Sequence, residues 1–321
     1  MARILNITNG DSAVHLMREA SIPGEYLPWR DVLHEGPVQA DLSLQQLSNR
    51  RARFIAERGW MDLVSLEQDF AERDQTLIHC ADYDQVVLWF EHDLYDQLQI
   101  VQILDWFADN PPPPGTLSMI CTEQYLGMCS PRQIADLRAQ AAPVSDAQLL
   151  LAKHAWRAFR SADPLAWQAL LQVDTTALPF LSGAVLRQLQ EYPDCTTGLS
   201  LTAQRALQIL SEGDQPPGKL FGLYMQQEER RFMGDASFWV ILQELLGSDP
   251  PLLQLPAGIE LTLPGDPEQL LKLTPAGTEV LRGERNWLDL TELDRWIGGV
   301  HLTPGHRWCW NPEKQRLIRQ A

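Results

Sequence analysis

The first 125 residues alternate between short apolar runs and longer segments with helical spacing of apolar side chains. Residues 86–90 are a continuous apolar run, the pattern of a strand buried on both faces of a sheet. Shorter strand-like runs lie at residues 2–7, 25–28 and 117–122. Helical patterns lie between and around them, at residues 12–20, 42–58, 62–81 and 94–107. The order β-α-β-αα-β-α-β predicts an α/β fold with a Rossmann-like, mostly parallel sheet and helices on both faces.

The remaining sequence predicts two further regions. Residues 131–195 have helical patterns throughout. Three more helices are predicted at residues 202–212, 218–229 and 238–246, followed by a strand pair at residues 252–255 and 270–274. Three helices and a β-hairpin are typical of a winged-helix-like α+β module. We therefore predict a Rossmann-like domain over residues 1–128, a helical linker region over 129–198, and a winged-helix-like module with a Trp-rich tail over 199–321.

The chain is acidic, with a formal net charge of -16 over 321 residues. This charge repels phosphate backbones at long range and disfavours nucleic-acid binding. The third predicted helix of the winged-helix-like module contains no Lys or Arg, which also disfavours DNA as its partner. A protein partner or a second copy of the chain fits this module better.

Cysteine content and hydropathy indicate a cytoplasmic protein. No apolar run approaches the roughly 20 residues that cross a bilayer, and the N-terminus lacks the pattern of a secretory signal. The odd number of cysteines and the absence of a Cys-x-x-Cys pair argue against a disulfide framework or a zinc ribbon. We expect free thiols at Cys80, Cys121, Cys129, Cys195 and Cys309.

Three polar clusters directly follow predicted strands. They are Asn9-Gly10-Asp11-Ser12, the segment Trp29 to Pro37, and Glu91-His92-Asp93. Because the carboxyl ends of parallel strands share one edge of the sheet, we expect these clusters to meet in one acidic, histidine-containing crevice. Helix capping is the alternative interpretation, with Asp11 or Ser12 capping the first helix and Asp93 the helix after the apolar strand.

If the clusters meet, their side chains suit acid–base or metal chemistry. A carboxylate beside an imidazole orients the ring and tunes its pKa, and a mixed N/O ligand set suits a divalent metal such as Mn, Fe or Zn. The candidate catalytic residues are His34, Glu35, Glu91, His92 and Asp93. The candidate ligand-positioning residues are Asn9, Gly10, Asp11, Ser12 and Arg30, with Arg30 available to an anionic group. The spacing matches no established metal motif, so the cofactor stays open, with a divalent metal as one option.

Serine catalysis is a weaker alternative. The segment around Ser12 resembles the block that carries the nucleophile in some lipase-type esterases, and His34 or His92 could act as its base. The Asp-x-x-His segment that such enzymes carry near the C-terminus has no convincing counterpart, which disfavours this mechanism.

Several of these motifs also resemble a bacterial family, domain of unknown function 1835. The matching segments are Asn9 to Ser12, Leu33-His34-Glu35-Gly36-Pro37-Val38, Trp89 to Gln97, Asp294 to Leu302, and Trp308-Cys309-Trp310. The resemblance covers the N-terminal domain well and the remainder loosely. It implies a shared N-terminal domain and a shared C-terminal ending, but no particular reaction.

Two functions fit these observations. The first is an enzyme, a hydrolase or group transferase, that acts on a small polar or phosphorylated ligand at the carboxyl edge of the N-terminal sheet. The second is a non-catalytic ligand sensor or adaptor that uses the winged-helix-like module to bind a protein or, less favoured, DNA.

Overall fold

A computed structural model describes residues 2–320, which divide into two compact units. The first contains the residues up to Val185 together with Trp296–Val300, and the second contains Leu186–Arg295 and the residues from His301 onward. The predicted boundary at residues 128/129 therefore falls inside the first unit, and the predicted boundary at 198/199 falls inside the second.

The first unit alternates strands and helices in the predicted order. Its elements up to residue 169 are β1 (Ile4–Thr8), α1 (Asp11–Glu19), β2 (Glu25–Pro28), β3 (Gly36–Pro37), α2 (Leu44–Glu57), α3 (Leu63–Ile78), β4 (Gln85–Glu91), α4 (Leu94–Asp109), β5 (Leu117–Thr122), α5 (Pro131–Arg138), β6 (Ala142–Pro143), α6 (Asp146–Phe159) and α7 (Pro164–Ala169). Helix α8 (Leu181–Leu189) follows.

The main sheet has five strands in the order β2-β1-β4-β5-β6. The first four are parallel, and only β6 runs antiparallel, beside β5. The predicted mostly parallel, Rossmann-like sheet is therefore confirmed. It extends beyond residue 128, because β6 supplies its last strand, and α6 packs on α4. The short strand β3 pairs separately, with residues Ile297 and Gly298.

Strand β4 is the centre of the core, buried on both faces as its sequence predicts. Val87 and Trp89 pack with Met17 of α1 and Ile134 of α5 in one apolar cluster. The alternate residues of β4 point to the opposite face, and these are also fully buried. The polar side chain of Asn6 is accommodated in this core because its Oδ1 accepts a hydrogen bond from the indole N–H of Trp89 (3.0 Å).

The loop after β2 is held by a buried arginine from α2. Arg51 is fully buried and donates from Nε to Oδ1 of Asp31 (2.9 Å). Its two terminal nitrogens donate to the backbone carbonyls of Glu35 (2.8 Å) and Val32 (3.0 Å). One guanidinium thus binds three points of the segment that contains His34, which fixes the conformation of this loop.

The second unit has the predicted order of helices and strands. Its elements after α8 are α9 (Leu201–Ser211), α10 (Pro217–Gln227), α11 (Asp235–Gly247), β7 (Leu253–Gln254), β8 (Lys272–Leu273), α12 (Pro275–Leu281), β11 (Arg307–Asn311) and β12 (Arg316–Gln320). Strands β9 (Arg295–Gly298) and β10 (Val300–Leu302) come between α12 and β11 in the chain, and their residues Trp296–Val300 belong to the first unit. Three helices precede the antiparallel pair β7–β8, which is the order of elements predicted for this region. The Trp-rich tail forms a second antiparallel pair, β11–β12. Across residues 2–320, no helix combines the length and apolarity needed to cross a membrane.

The turn into β2 yields a stability prediction. Gly24 has φ +118°, and a Cβ atom there would lie 2.5 Å from the backbone oxygen of Ile4 and 2.9 Å from Nδ2 of Asn6. We expect Gly24→Ala to lower the free energy of unfolding by about 2–3 kcal/mol, because backbone strain and a steric clash add. Urea denaturation of the purified chain measures this change.

A helical glycine with open space around it serves as the control. A Cβ atom at Gly218 in α10 would meet no atom within 4 Å. Gly218→Ala should therefore leave the protein as stable as the wild type or stabilise it by up to about 1 kcal/mol. Equal destabilisation by both substitutions would contradict the role given to the Gly24 turn.

Candidate functional site

The strand order reverses between β1 and β4, and the polar clusters that follow these two strands meet at this point. From β1 the chain passes to β2 on one side, and it later returns to β4 on the other side. In open α/β sheets, the crevice at such a reversal, outside the carboxyl ends of the strands, is where ligands bind. Asn9 follows β1 and Glu91 ends β4, so these two residues lie on opposite sides of the reversal point.

Hydrogen bonds join the two sides of this crevice. Nδ2 of Asn9 donates to Oε1 of Glu91 (2.9 Å) and to Oδ2 of Asp96 (3.0 Å). The backbone N–H of Leu126, after β5, donates to the same oxygen of Glu91 (2.8 Å). The backbone N–H of Glu91 donates to Oδ1 of Asp96 (2.7 Å). Loops after three neighbouring strands therefore converge, and the convergence predicted for Asn9 and Glu91 is present.

Three carboxyl groups are buried together in this crevice. Glu91, Asp93 and Asp96 are 5%, 3% and 1% exposed, and one oxygen of each lies within 4.8 Å of the others. Their oxygens accept hydrogen bonds from amide N–H groups, which carry no net charge to offset three negative charges. Because burying an isolated carboxylate is costly, either at least one of the three groups keeps its proton or a cation offsets their charge.

The pKa values follow from this crowding. Burial, followed by the neighbouring charge of Glu91, raises the pKa of Asp93 to about 7. Burial, followed by the charges of Asp93 and Glu91, raises the pKa of Asp96 well above its usual range. Burial also raises the pKa of Glu91, although the Leu126 N–H and Asn9 hydrogen bonds act in the opposite direction. Because the three groups lie within 4.8 Å of one another, the protonation of each depends on the charges of the other two.

Helix α4 positions two of these carboxyl groups. Asp93 is its N-cap and accepts a hydrogen bond from the backbone N–H of Asp96 (3.2 Å), so the capping interpretation is correct for this residue. Asp93 can cap the helix and belong to the carboxyl cluster at the same time, because the capping hydrogen bond involves Oδ1 and not Oδ2.

The first helix differs from the capping prediction. Gly10 is the N-cap of α1, no side chain caps it, and Asp11 and Ser12 are its first two residues. Asp11 does not cap because its carboxylate instead accepts bonds from Nε (2.8 Å) and Nη2 (2.6 Å) of Arg30. The Arg30 hydrogen bond lowers the pKa of Asp11.

Arg30 links the loops after β1 and β2. Its backbone has φ +57°, and its N–H donates to the carbonyl of Asn9 (3.1 Å). Nη1 lies 3.7 Å from a carboxylate oxygen of Asp69 on α3. The guanidinium predicted to hold an anionic ligand thus already contacts two carboxylates, those of Asp11 and Asp69.

The predicted histidines pack against aromatic side chains. His34 is 4% exposed, its ring centroid is 6.1 Å from that of Tyr95, and Nε2 is 3.7 Å from Oε1 of Glu35. The ring of His92 lies 5.2 Å from Tyr125 and 5.9 Å from Phe180. The carboxyl groups of Glu91 and Asp93 lie together, whereas the ring of His92 packs against Tyr125 and Phe180.

Asp96 is the site residue that sequence reasoning missed. Its position three residues after Asp93 indicates a place in the first helical turn, but not that its side chain contacts the end of β4. The Leu126 N–H was also missed, because a backbone donor leaves no trace in the side-chain pattern. Within residues 2–320, Glu91, Asp93 and Asp96 are the residues grouped closely enough to hold a metal ion together. The sequence predicted a set of nitrogen and oxygen ligands, whereas this group offers carboxylate oxygens. Oxygen ligands suit a hard cation better than zinc.

Comparison with known proteins adds no assignment: a scan of family models and a search of curated proteins each found no match to this chain. The resemblance to domain of unknown function 1835 therefore stays a prediction.

The raised pKa of Asp93 predicts how stability depends on pH. A carboxyl group with a higher pKa in the folded protein contributes stability at low pH and loses it as pH rises through the folded pKa, here about 7. Asp93→Asn stays neutral and keeps a capping oxygen. As pH rises from about 4 to about 8, we expect the free energy of unfolding of the variant to increase by on the order of 2–4 kcal/mol relative to that of the wild type. Urea denaturation across this range measures the gain.

Asp62→Asn is a matched control with the opposite sign. Asp62 caps α3 in the same way, but its side chain is exposed, and hydrogen bonds to Ser65 lower its pKa. The Asn variant should therefore lose stability relative to the wild type as pH rises. If the two variants had the same pH dependence, the raised pKa of Asp93 would be contradicted.

Proposed function

We propose that the N-terminal α/β unit is an enzyme, a hydrolase or group transferase, that acts on a small polar or phosphorylated ligand at the reversal point between β1 and β4. The observation that carries this proposal is the buried group of Glu91, Asp93 and Asp96, joined across the crevice by Asn9. Several ionisable groups with raised pKa values in a ligand crevice are typical of catalytic sites.

The location supports a ligand as well as a catalytic group. The crevice adjoins the loop at Gly10, where a Cβ atom would meet no atom within 4 Å, so a ligand can approach the backbone there. Asn9 is half-buried, and its amide is fixed by two carboxyl groups. An amide held in this way presents a defined hydrogen-bonding edge to a ligand without reorganising. Asn9, Gly10, Asp11 and Ser12 are the ligand-positioning residues of this proposal.

The carboxyl cluster supplies proton transfer. Since the three groups cannot ionise together, at neutral pH one is ionised beside another that keeps its proton. The ionised carboxylate accepts a proton from the nucleophile, which is water or a hydroxyl group of a second substrate. As this proton leaves, the oxygen of the nucleophile bonds to the electrophilic carbon or phosphorus. The protonated group donates to the leaving group as the old bond breaks. Asp93, with a pKa of about 7, suits either role near neutral pH.

The other predicted catalytic residues have supporting roles in this proposal. His34 and Glu35 lie on the loop fixed by Arg51, and His34 packs against Tyr95, the neighbour of Asp96. His92 packs against Tyr125, one residue before the Leu126 N–H that binds Glu91. Both histidines therefore position the segments that carry the carboxyl groups.

Ligand binding and turnover in matched variants test this function. A panel of sugar phosphates, nucleotides and amino acids is screened for a rise in the melting temperature of the wild-type chain, and each compound that binds is then followed by NMR for turnover. We expect Asp93→Asn to retain binding but lose about 10²–10⁴-fold in turnover, because a general acid or base is removed. Asn9→Ala should weaken binding.

Asp62→Asn makes the same chemical change away from the crevice and should behave as the wild type in both assays. The proposal is wrong if Asp93→Asn leaves turnover unchanged. It is also wrong if ligands stabilise Asn9→Ala as strongly as the wild type.

A further inference from the structure

A cavity lies in the first unit, beside the carboxyl end of β2. Its volume is about 140 Å³, and side chains from the β2 loop, α2 and α3 surround it. Aromatic and aliphatic groups form most of its wall, with Trp29, Trp60 and Phe70 as the rings and Ile55 and Leu66 as the aliphatic side chains. A concave, mostly apolar cavity with few polar groups is the usual form of a small-molecule site.

Two of the rings are held rigidly by a buried arginine. The guanidinium carbon of Arg73 lies 4.2 Å from the ring centroid of Trp29 and 4.3 Å from that of Phe70. Its nitrogens donate to Asp74 (2.9 Å) and Ser48 (2.8 Å), so its charge is compensated inside the protein. The aromatic wall is therefore fixed before any ligand arrives, which lowers the entropy lost on binding.

The opening of the cavity is apolar as well. Met61 lines the cavity and is 45% exposed, and the nearby Leu63 and Val64 are 38% and 75% exposed. Adjacent exposed apolar side chains at the mouth of a cavity indicate a surface that an apolar group covers.

Arg30 connects this cavity to the crevice at β1 and β4. It lines the cavity together with Asp69, while its backbone N–H binds the carbonyl of Asn9 (3.1 Å) and its guanidinium binds Asp11. The conformation of Arg30, with φ +57°, is rare for a non-glycine residue, and such strain concentrates at functional sites. One residue thus borders both the apolar cavity and the loop that carries Asn9.

We propose that this cavity is the subsite for a planar aromatic ring of the substrate, whose polar end reaches the crevice at Asn9. This inference rests on the proposed function and adds a substrate class to it, a polar or phosphorylated compound that carries an aromatic ring. The size agrees, because an apolar cavity of about 150 Å³ accepts a benzene ring. A purely apolar ring and a nucleobase are both planar and aromatic, so either fits this description. Two probes distinguish them.

Indole and adenosine are the probes, each titrated into the full chain and followed by the change in melting temperature and by ligand-observed NMR. We expect at least one probe to bind the wild type. Met61→Glu should weaken that binding about tenfold or more, since a carboxylate at the mouth must be desolvated next to the ring. Leu150→Glu introduces the same charge on an exposed residue of α6, outside the cavity lining, and should leave binding unchanged.

Leu66→Phe provides a second variant, which fills the cavity instead of charging its mouth and should also weaken binding. Binding of indole alone identifies an apolar ring, and binding of adenosine alone identifies a nucleobase. The subsite is ruled out if neither probe binds, or if Met61→Glu and Leu66→Phe bind as the wild type does. Asp93→Asn should bind the probe normally, so failure of the subsite and failure of the catalytic proposal are separate results.

Discussion

Mutual repulsion among three buried carboxyl groups is the constraint on which the account of this site depends. Glu91, Asp93 and Asp96 have oxygens within 4.8 Å of one another below the surface, where water screens their charges poorly. Surface carboxylates avoid this cost, and a helix cap alone needs only Asp93. The amide donors of Asn9, Glu91 and Leu126 hold the groups together nonetheless. Such an arrangement raises the pKa values of all three carboxyl groups at the carboxyl ends of β1 and β4.

The scaffold makes this arrangement rigid. Strand β4 is buried on both faces, so its last residue, Glu91, emerges at a fixed place beside β1. Helix α4 begins three residues later, at Leu94, and brings Asp96 back onto the end of the strand. On the β2 side, Arg51 binds the segment that carries His34, and Arg73 fixes the rings of the neighbouring cavity. Two buried guanidinium groups therefore shape the surroundings of an acidic crevice.

Much of this fold could be predicted from the sequence, because periodicity reports burial directly. The apolar run before Glu91 predicts a central parallel strand, and the polar cluster after it predicts the ligand edge. Periodicity does not report which polar side chains pair across the sheet, so the contact between Asn9 and Asp96 was not foreseen. It also cannot separate core from cavity: Leu66 and Phe70 belong to an ordinary helical stripe, and only tertiary packing leaves a space between them.

The protonation state of the cluster is the most direct test of this account. Carbon-13 labelling of Asp and Glu side chains allows the carboxyl carbons of Glu91, Asp93 and Asp96 to be followed by NMR from acid to alkaline pH. Each signal is assigned by its loss in the corresponding single Asn or Gln variant. The account predicts that Asp93 titrates near pH 7 and that the other two titrate above their usual range. Titration of all three groups at or below about pH 4.5, as for carboxyls in water, would contradict it.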